Sequence, residues 1–140
     1  MVSYITHARA EKLLPRLLKK VIQLQELHEM LELMETVDIK IEETNNHMFH
    51  FLTQFNMSFH KLSYQFYHKL HSIEKMGCVV TDIEDGIISF LSHSGEKPII
   101  LSWQIDEPKI EYWHEVDEDF EDRKQFVNLI RGASALIGNS

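Results

Sequence analysis

The side chains best suited to chemistry in this sequence lie close together between residues 107 and 123. The set comprises Glu107, His114, Asp117 and Arg123. A carboxylate beside a histidine suits general acid–base catalysis because imidazole titrates near neutral pH, and an arginine binds anions through paired hydrogen bonds. In the competing structural interpretation, Arg123 pairs with Asp117 or Glu107 to fix a loop, and the histidine covers a sheet edge. We favour the structural interpretation, assign no catalytic residue, and keep ligand binding by this polar cluster as the alternative.

An acidic run, residues 117–122, follows the histidine of the polar cluster. Carboxylates are the ligands that Ca²⁺ and Mg²⁺ prefer. The run lacks the glycine that an EF-hand loop needs at its sixth position, where this sequence has Asp122. We therefore interpret the run as a solvated loop whose acids also suit the start of a following helix, and we predict no metal site there.

Histidines are concentrated in the middle of the chain, where acids are missing. Between residues 44 and 73 there are five histidines and no aspartate or glutamate. His47 with His50, and His68 with His71, have the i, i+3 spacing that places both rings on one side of a helix. Zinc accepts such pairs when an acid joins them from elsewhere, but the HExxH pattern is missing. We interpret these histidines as a half-buried polar stripe and predict no metal ion or other cofactor.

Two long helices precede the polar cluster and must help to position it. In the first, Thr6 suits the N-cap, Pro15 predicts a kink, and Lys20 fills the one gap in a heptad seam. That seam consists of Leu13, Leu17, Leu24, Leu27, Leu31 and Met34, and a second set of Leu14, Leu18 and Val21 widens it. The second helix carries Met48, Leu52, Phe55, Phe59, Leu62, Phe66, Leu70 and Ile73 and ends at Gly77. Two such seams predict an antiparallel coiled-coil hairpin.

After Gly77 the apolar residues alternate with polar ones, which is typical of strands. Residues 78–81, 87–92, 98–104 and 109–115 are predicted to form a three- or four-stranded antiparallel meander. One face of this sheet carries Ile88, Phe90, Ile99, Leu101, Trp103, Ile110 and Tyr112. Trp113 points to the other face. A short helix is predicted over residues 123–131, with Gly132 as its end.

These elements predict an α+β fold in a single domain of residues 1–140. Residues 1–76 form the long antiparallel helical hairpin, which packs on the small sheet of residues 77–115. Residues 116–140 form the acidic loop, the short C-terminal helix and a tail. A length of 140 residues is typical of one domain.

Composition excludes several functional classes. Asp and Glu number 22 against 14 Lys and Arg, and the net charge of −8 is unsuited to binding duplex nucleic acid. The longest stretch without charged residues, residues 44–60, is too polar to span a membrane. Cys78 is the one cysteine, so no disulfide forms within the chain, and we expect it in the core. With no signal-peptide pattern at the N-terminus, we expect a cytoplasmic protein.

Three segments of the chain carry the motifs of a known family. The most specific consists of residues 101–108 and 112–117 with Phe120 and Arg123, and residues 77–90 and 6–15 add weaker matches. In that order the segments resemble L-C-W-x-x-G-E with W-H-x-x-D-x-G-F-x-x-R, then G-x-x-V-K-D-x-x-x-G-L-V-D-F, then T-x-x-x-A-x-x-L-L-P. These are patterns of an uncharacterised bacterial family, Domain of Unknown Function 2203. The resemblance implies an architecture and a polar cluster, and no known reaction.

The sequence departs from that family pattern at five positions. Ser102 replaces a cysteine and Ser89 an aspartate, and three aspartates replace glycines, namely Asp106, Asp119 and Asp122. A site that relied on that cysteine or aspartate would be altered in this chain.

The predicted hairpin exposes more apolar edge than one small sheet can cover, and this suggests a function. We predict a non-catalytic interaction or scaffold protein that self-associates through the hairpin, most simply as a two-fold homodimer. The alternative is a small-molecule- or metal-binding protein or enzyme that uses the polar cluster. A third interpretation is an adaptor for a helix of another protein. Segregated charge agrees with a docking face, since residues 106–122 hold nine acids and one base, Lys109.

Overall fold

The computed structural model describes residues 4–37 and 46–125, which form two helices followed by a sheet. The helices are α1, His7–Glu35, and α2, Asn46–Glu74. The strands are β1, Val79–Asp82; β2, Ile87–Ser94; β3, Lys97–Gln104; β4, Tyr112–Glu115; and β5, Lys124–Gln125, with one 3-10 turn at Phe120–Asp122. The α+β class is confirmed, and the sheet has five strands rather than the three or four predicted.

Helix α1 begins where the sequence predicts. The Thr6 hydroxyl accepts a hydrogen bond from the Arg9 amide at 3.2 Å and so caps the first turn. The helix continues through Pro15. Its buried side chains are Ala10, Leu14, Leu17, Val21 and Leu24, whereas Leu13, Leu27 and Leu31 pack at the margin of the core. The buried stripe thus combines Leu17 and Leu24 of the predicted seam with Leu14 and Val21 of the second set, and the rest of the seam lies at its margin.

The two helices are antiparallel, as predicted. Lys20 donates a hydrogen bond to the hydroxyl of Ser72, and further along α1 the ring of His28 lies 6.0 Å from that of Phe66. Lys20 therefore fills the gap in the predicted seam with a polar contact instead of an apolar one. After α2 the chain turns at Gly77, whose φ of 97° suits the end of a helix.

The five strands form a meander in the order β1-β2-β3-β4-β5 with antiparallel neighbours. Directly opposed residues share a face of the sheet, so the register of Phe90 with Leu101, and of Leu101 with Trp113, places all three on the core side. The prediction for β4 is therefore wrong: Trp113 belongs to the core, and Tyr112 lies on the other face. The chain turns before β4, so Ile110 reaches the core from that turn and the alternation starts afresh at Tyr112.

The predicted C-terminal helix is wrong where the structure describes it. After the 3-10 turn, Arg123 has extended backbone angles of φ −56° and ψ 138°, and the next two residues pair with β4 as strand β5. Hydrogen bonds to the open edge of β4 replace the helical ones. Residues 126–140, with the rest of that helix and the tail, lie outside the described residues, as does most of the link between α1 and α2.

Ile5, His7 and Gln25 tie the helical part of the chain to the sheet through polar contacts. The Ile5 amide donates to the Leu91 carbonyl at 2.9 Å, along the stretch of β2 that β1 leaves uncovered. The Nε2 atom of His7 lies 2.8 Å from the Ile110 carbonyl oxygen, and the Gln25 side chain donates to two carbonyls of the β1–β2 turn. These contacts fix the hairpin on the sheet. Neither helix in the described ranges combines the length and the apolar character of a membrane span.

Candidate functional site

Two members of the predicted polar cluster meet in the structure. Glu107 lies in the turn after β3 and Arg123 just before β5, and the Arg123 Nη1 atom is 3.1 Å from each oxygen of the Glu107 carboxylate. The two side chains are 16% and 17% exposed. The carboxylate also accepts from the Gln104 amide at 2.8 Å, and the Glu107 carbonyl accepts from the Trp103 indole at 2.8 Å. The pair therefore holds the turn before β4 against the end of β3.

The Arg123 guanidinium is also enclosed by two aromatic rings. Its central carbon lies 3.8 Å from the centre of the Phe120 ring and 4.3 Å from the centre of the Tyr112 ring. Both distances suit cation–π attraction, which is strongest where water is excluded. An anion that approached this arginine would have to displace the carboxylate of Glu107. These contacts favour a structural role for Arg123 in an ion pair over a role in binding an anion from solution.

His114 and Asp117 do not join that pair. His114 lies on the face of β4 opposite to Trp113, is 7% exposed, and donates from Nδ1 to the Glu115 carbonyl at 2.7 Å. Asp117 is exposed in the turn after β4 and forms no ion pair with Arg123 in the part of the chain described. Within the described ranges, the four predicted residues therefore do not converge on one open cleft.

Part of the acidic run is neutralised by internal contacts. Glu118 accepts from the Glu115 amide at 2.8 Å and from Lys124 at 3.2 Å. These hydrogen bonds, the amide first and then the lysine, lower the pKa of Glu118. Asp122 accepts from the amide of Asp119 at 3.0 Å, at the start of the 3-10 turn. In this loop the carboxylates of Glu118 and Asp122 accept hydrogen bonds from neighbouring groups of the same chain. Such contacts agree with the interpretation of the acidic run as a loop and not as a metal site.

The sequence interpretation overlooked three side chains of the types that bind metal ions, two of them on α1 and one in the β1–β2 turn. His28 and Glu32 are one helical turn apart, with 2.9 Å between Nε2 and Oε1. Glu84 approaches them from the β1–β2 turn, and one ligand atom from each of the three lies within 4.8 Å of the other two. The His–Glu spacing at i, i+4 is visible in the sequence. The third residue belongs to another element, and only the fold brings it near.

A groove opens on the hairpin beside the β1–β2 turn, and we call it the distal groove. It is lined by His28, Leu31, Glu32 and Glu35 of α1, by Phe59, Ser63, Phe66 and Tyr67 of α2, and by Ile83 of the turn. Its lining mixes apolar side chains with polar ones, and the two glutamates lie on the α1 side. The predicted seams of both helices thus continue past the part of the hairpin that the sheet covers.

The distal half of the hairpin has little core of its own. Among side chains that the structure describes, the last buried one of α1 is Leu24 and the first of α2 is Phe66. Beyond these positions Met30 and Leu33 are 47% and 62% exposed on α1, and Phe49 is 74% exposed on α2. A single exposed apolar residue is ordinary, but a group of them on paired helices indicates an interaction surface.

Comparison with known proteins identifies one family. The model of an uncharacterized conserved protein, DUF2203, matches residues 3–126. The chain belongs to this family. Comparison with the curated proteins gave no significant match, and neither did comparison with the solved structures. Membership of DUF2203 confirms the family resemblance of the sequence and adds no reaction, ligand or partner.

Four of the residues that carry the DUF2203 resemblance, Trp103, Glu107, Phe120 and Arg123, form a chain of contacts. The Trp103 indole donates to the Glu107 carbonyl, and the Glu107 carboxylate pairs with Arg123. Arg123 in turn packs on Phe120. Four residues of the most specific DUF2203 motif therefore form one continuous set of contacts around the turn before β4, and His114 and Asp117 of the same motif lie outside that set. In this chain that set stabilises the edge of the sheet.

Ser102, where the DUF2203 pattern has a cysteine, lies in surroundings poorly suited to a hydroxyl. It is completely buried in β3, between Ser89 of β2 and Tyr112 of β4. Its Oγ atom has no hydrogen-bond partner among the described residues. A buried polar group without a partner costs roughly 1–3 kcal/mol. A cysteine, which behaves as a small apolar residue, fits such surroundings better.

Proposed function

We propose that this DUF2203 protein is a non-catalytic interaction protein that forms a homodimer through the distal half of its helical hairpin. The observation that carries the proposal is the apolar surface of that half, where Phe49, Phe51 and Tyr64 are 74%, 52% and 71% exposed. Aromatic side chains are enriched at protein interfaces because they bury a large area with few rotatable bonds. A cytoplasmic location is part of the proposal, supported by the single buried cysteine.

Segregated charge favours a second copy as the occupant of the distal groove. Between residues 25 and 37, α1 and its end carry four acids and no lysine or arginine, the acids being Glu26, Glu29, Glu32 and Glu35. Residues 46–73 of α2 have no acid and carry Lys61 and Lys69. In an antiparallel two-fold dimer, α1 of one copy lies against α2 of the other. The acidic surface of α1 in each copy then faces the lysines of α2 in the other copy, and the two-fold symmetry produces this contact twice.

The size of the distal surface suits a modest dimer. The distal stretch of α2, residues 46–65, is about 30 Å long, and two helices about 10 Å wide give a face of about 600 Å² per copy. Two such faces bury about 1,200 Å², the lower bound for specific stable interfaces. We therefore expect a dimer that dissociates on dilution rather than an obligate one.

The alternative function, ligand binding or catalysis at the polar cluster, has less support. Glu107 and Arg123 are bonded to each other, and the guanidinium also lies over the rings of Tyr112 and Phe120. His114 is bonded to a backbone carbonyl. The distal half, by contrast, exposes Phe49 and Tyr64 to solvent, so an interaction role is the stronger proposal.

Sedimentation or light scattering of the full chain over a range of concentrations tests the dimer. We expect the mass of two chains at high concentration and of one chain on dilution. Tyr67→Glu places a charge in the distal groove at an exposed position and is expected to shift the mass to one chain. Val116→Glu adds the same charge at a 56% exposed position after β4 and is expected to leave the dimer intact.

Two results would overturn the proposal. One is a wild-type chain that stays monomeric at about 1 mM, a concentration at which even weak specific association is populated. The other is a Tyr67→Glu chain that dimerises as tightly as the Val116→Glu control.

A further inference from the structure

Three metal-ligating side chains from two separate elements meet beside the distal groove. His28 and Glu32 lie on one side of α1 because four residues make about one helical turn. The His28 Nε2 atom is 2.9 Å from Glu32 Oε1. Glu84 comes from the β1–β2 turn, and one ligand atom of each residue lies within 4.8 Å of the others. The fold thus brings an imidazole nitrogen and two carboxylates to one point.

The turn that carries Glu84 is held in place by other residues. Gln25, one turn before His28 on α1, donates from Nε2 to the carbonyls of Ile83 at 2.9 Å and Glu84 at 3.2 Å. The Phe66 ring of α2 lies 6.0 Å from the His28 ring. The backbone of the turn at Glu84 is therefore held against α1. The His28 imidazole, in turn, packs beside the Phe66 ring of α2.

We propose that His28, Glu32 and Glu84 bind a Zn²⁺ ion. Zinc binds histidine nitrogen and carboxylate oxygen at about 2.0–2.2 Å, and a tetrahedral arrangement then separates ligand atoms by roughly 3.4 Å. Glu32 and Glu84 are exposed, so small side-chain rotations close the distance from 4.8 Å. A nitrogen ligand favours zinc over Ca²⁺ and Mg²⁺, which prefer oxygen alone. Water occupies the fourth position.

A zinc ion at this place joins the distal half of α1 to the sheet. It also offsets the repulsion between the carboxylates of Glu32 and Glu84, and Glu29, which lines one cavity together with His28 and these two glutamates, adds a third negative charge. Binding to the folded chain and not to the unfolded one stabilises the fold by mass action. The proposal does not depend on dimerisation, since all three ligands belong to one chain.

Zinc titration of the full, chelator-treated chain tests the site, with competition by a chromophoric chelator as the readout. We expect one Zn²⁺ per chain and a higher melting temperature when zinc is present. His28→Ala removes the nitrogen ligand, and Glu84→Gln removes one carboxylate from an exposed turn without threatening the fold. Each variant is expected to weaken zinc affinity by about tenfold or more. Changing a residue that only hydrogen-bonds to a metal ligand already costs about tenfold, so loss of a ligand itself costs at least as much.

Histidines elsewhere in the chain provide the control. His60→Ala removes an exposed imidazole from α2 and is expected to leave zinc affinity and the melting shift unchanged. Co²⁺ in place of Zn²⁺ is expected to give the strong visible absorption of a tetrahedral ion in the wild type and in His60→Ala, and to lose it in His28→Ala. Zinc binding weaker than about 100 µM, or binding that Glu84→Gln and His28→Ala leave unchanged, would overturn the assignment.

Discussion

One nitrogen of Arg123 contacts both carboxylate oxygens of Glu107 at 3.1 Å, and this pair encloses strand β4. Glu107 lies in the turn that precedes the strand, and Arg123 lies in the segment that follows it. The contact thus joins two residues that are 16 positions apart in the sequence and closes the chain around the edge of the sheet. A structural role for the pair has a measurable consequence, because removing one partner leaves the other charge largely buried.

Arg123→Leu is expected to lower the free energy of unfolding by about 3 kcal/mol, since the mostly buried Glu107 carboxylate loses its partner. Glu107→Gln keeps an acceptor for the Gln104 amide and is expected to cost less. Urea denaturation measures both changes, and Lys109→Ala, an exposed position in the same turn, is the control at about ±0.5 kcal/mol. A loss for Arg123→Leu no larger than that of the control would favour the ligand-binding interpretation of the polar cluster.

Gly86→Ala is expected to destabilise the fold more than Gly95→Ala. Both glycines have positive φ, 68° and 62°, which costs an alanine about 1–2 kcal/mol. At Gly86 an added Cβ would also lie 2.7 Å from Cγ1 of Ile105, whereas at Gly95 nothing lies within 4 Å. The difference between the two melting temperatures isolates the effect of crowding, and equal losses would show that Ile105 moves aside freely.

Ser102→Ala is expected to stabilise the protein by about 1 kcal/mol, because it removes a buried hydroxyl that has no partner among the described residues. Ser102→Cys restores the residue of the family pattern and is expected to act in the same direction. Ser89→Ala, on the neighbouring strand, is the control, since its hydroxyl has Thr81 within 3.5 Å. Thermal unfolding measures the three variants, and destabilisation by Ser102→Ala would show that the hydroxyl is satisfied in solution.

Cys78 is expected to react with thiol reagents only when the chain unfolds. Burial, with a smaller effect of Glu74, raises the pKa of its thiol from the ordinary value of 9.0 to about 12. The thiolate is the reactive form, so this shift alone slows the native reaction at pH 8 by about 1,000-fold relative to the unfolded chain in denaturant. A native rate within tenfold of the unfolded one would contradict this.

The same shift gives a stability change at high pH. The folded pKa lies above the unfolded one, so the contribution of Cys78 is complete below about pH 9 and is lost as the pH rises towards 12. Cys78→Ala removes this part of the pH dependence. Unfolding measured at pH 8 and pH 10 for both proteins separates the cysteine from other groups.

Lys61→Glu is expected to weaken the proposed dimer several-fold, because it places an acid on α2 opposite the acidic α1 of the other copy. Lys12→Glu makes the same change near the start of α1, away from the distal half, and is expected to have little effect. Sedimentation at low and at high salt gives a second readout, since exposed charge pairs are screened by salt. If neither Lys61→Glu nor salt changes dimerisation, charge does not contribute to the affinity of the dimer, and burial of the apolar surface accounts for it.

Local patterns were sufficient to predict the fold class. The Thr6 cap, the helical spacing of the leucines and the switch to alternation after Gly77 depend on neighbouring residues, and each is confirmed. The face of Trp113 was not predictable in this way. It depends on where β4 begins, and that position is set by the turn from which Ile110 enters the core.

In the candidate site, too, some features follow from neighbouring residues and others depend on the fold. From the sequence, either Glu107 or Asp117 was a candidate partner for Arg123. The path of the chain through the turn before β4 places Glu107, and not Asp117, beside the guanidinium. Strand β5 was missed because two residues carry no periodicity, and their conformation is set by the open edge of β4. Glu84 was missed because its neighbours in space, His28 and Glu32, are more than 50 residues away in the sequence.

Strand β2 runs for eight residues and β1 for four, which leaves part of the β2 edge without a strand partner from β1. The backbone amide of Ile5 occupies that edge at Leu91. A bare strand edge is a template for pairing between molecules. The segment just ahead of α1 therefore covers part of an edge at which two molecules would otherwise be able to pair, and deletion of Tyr4 and Ile5 is expected to increase aggregation measured by light scattering.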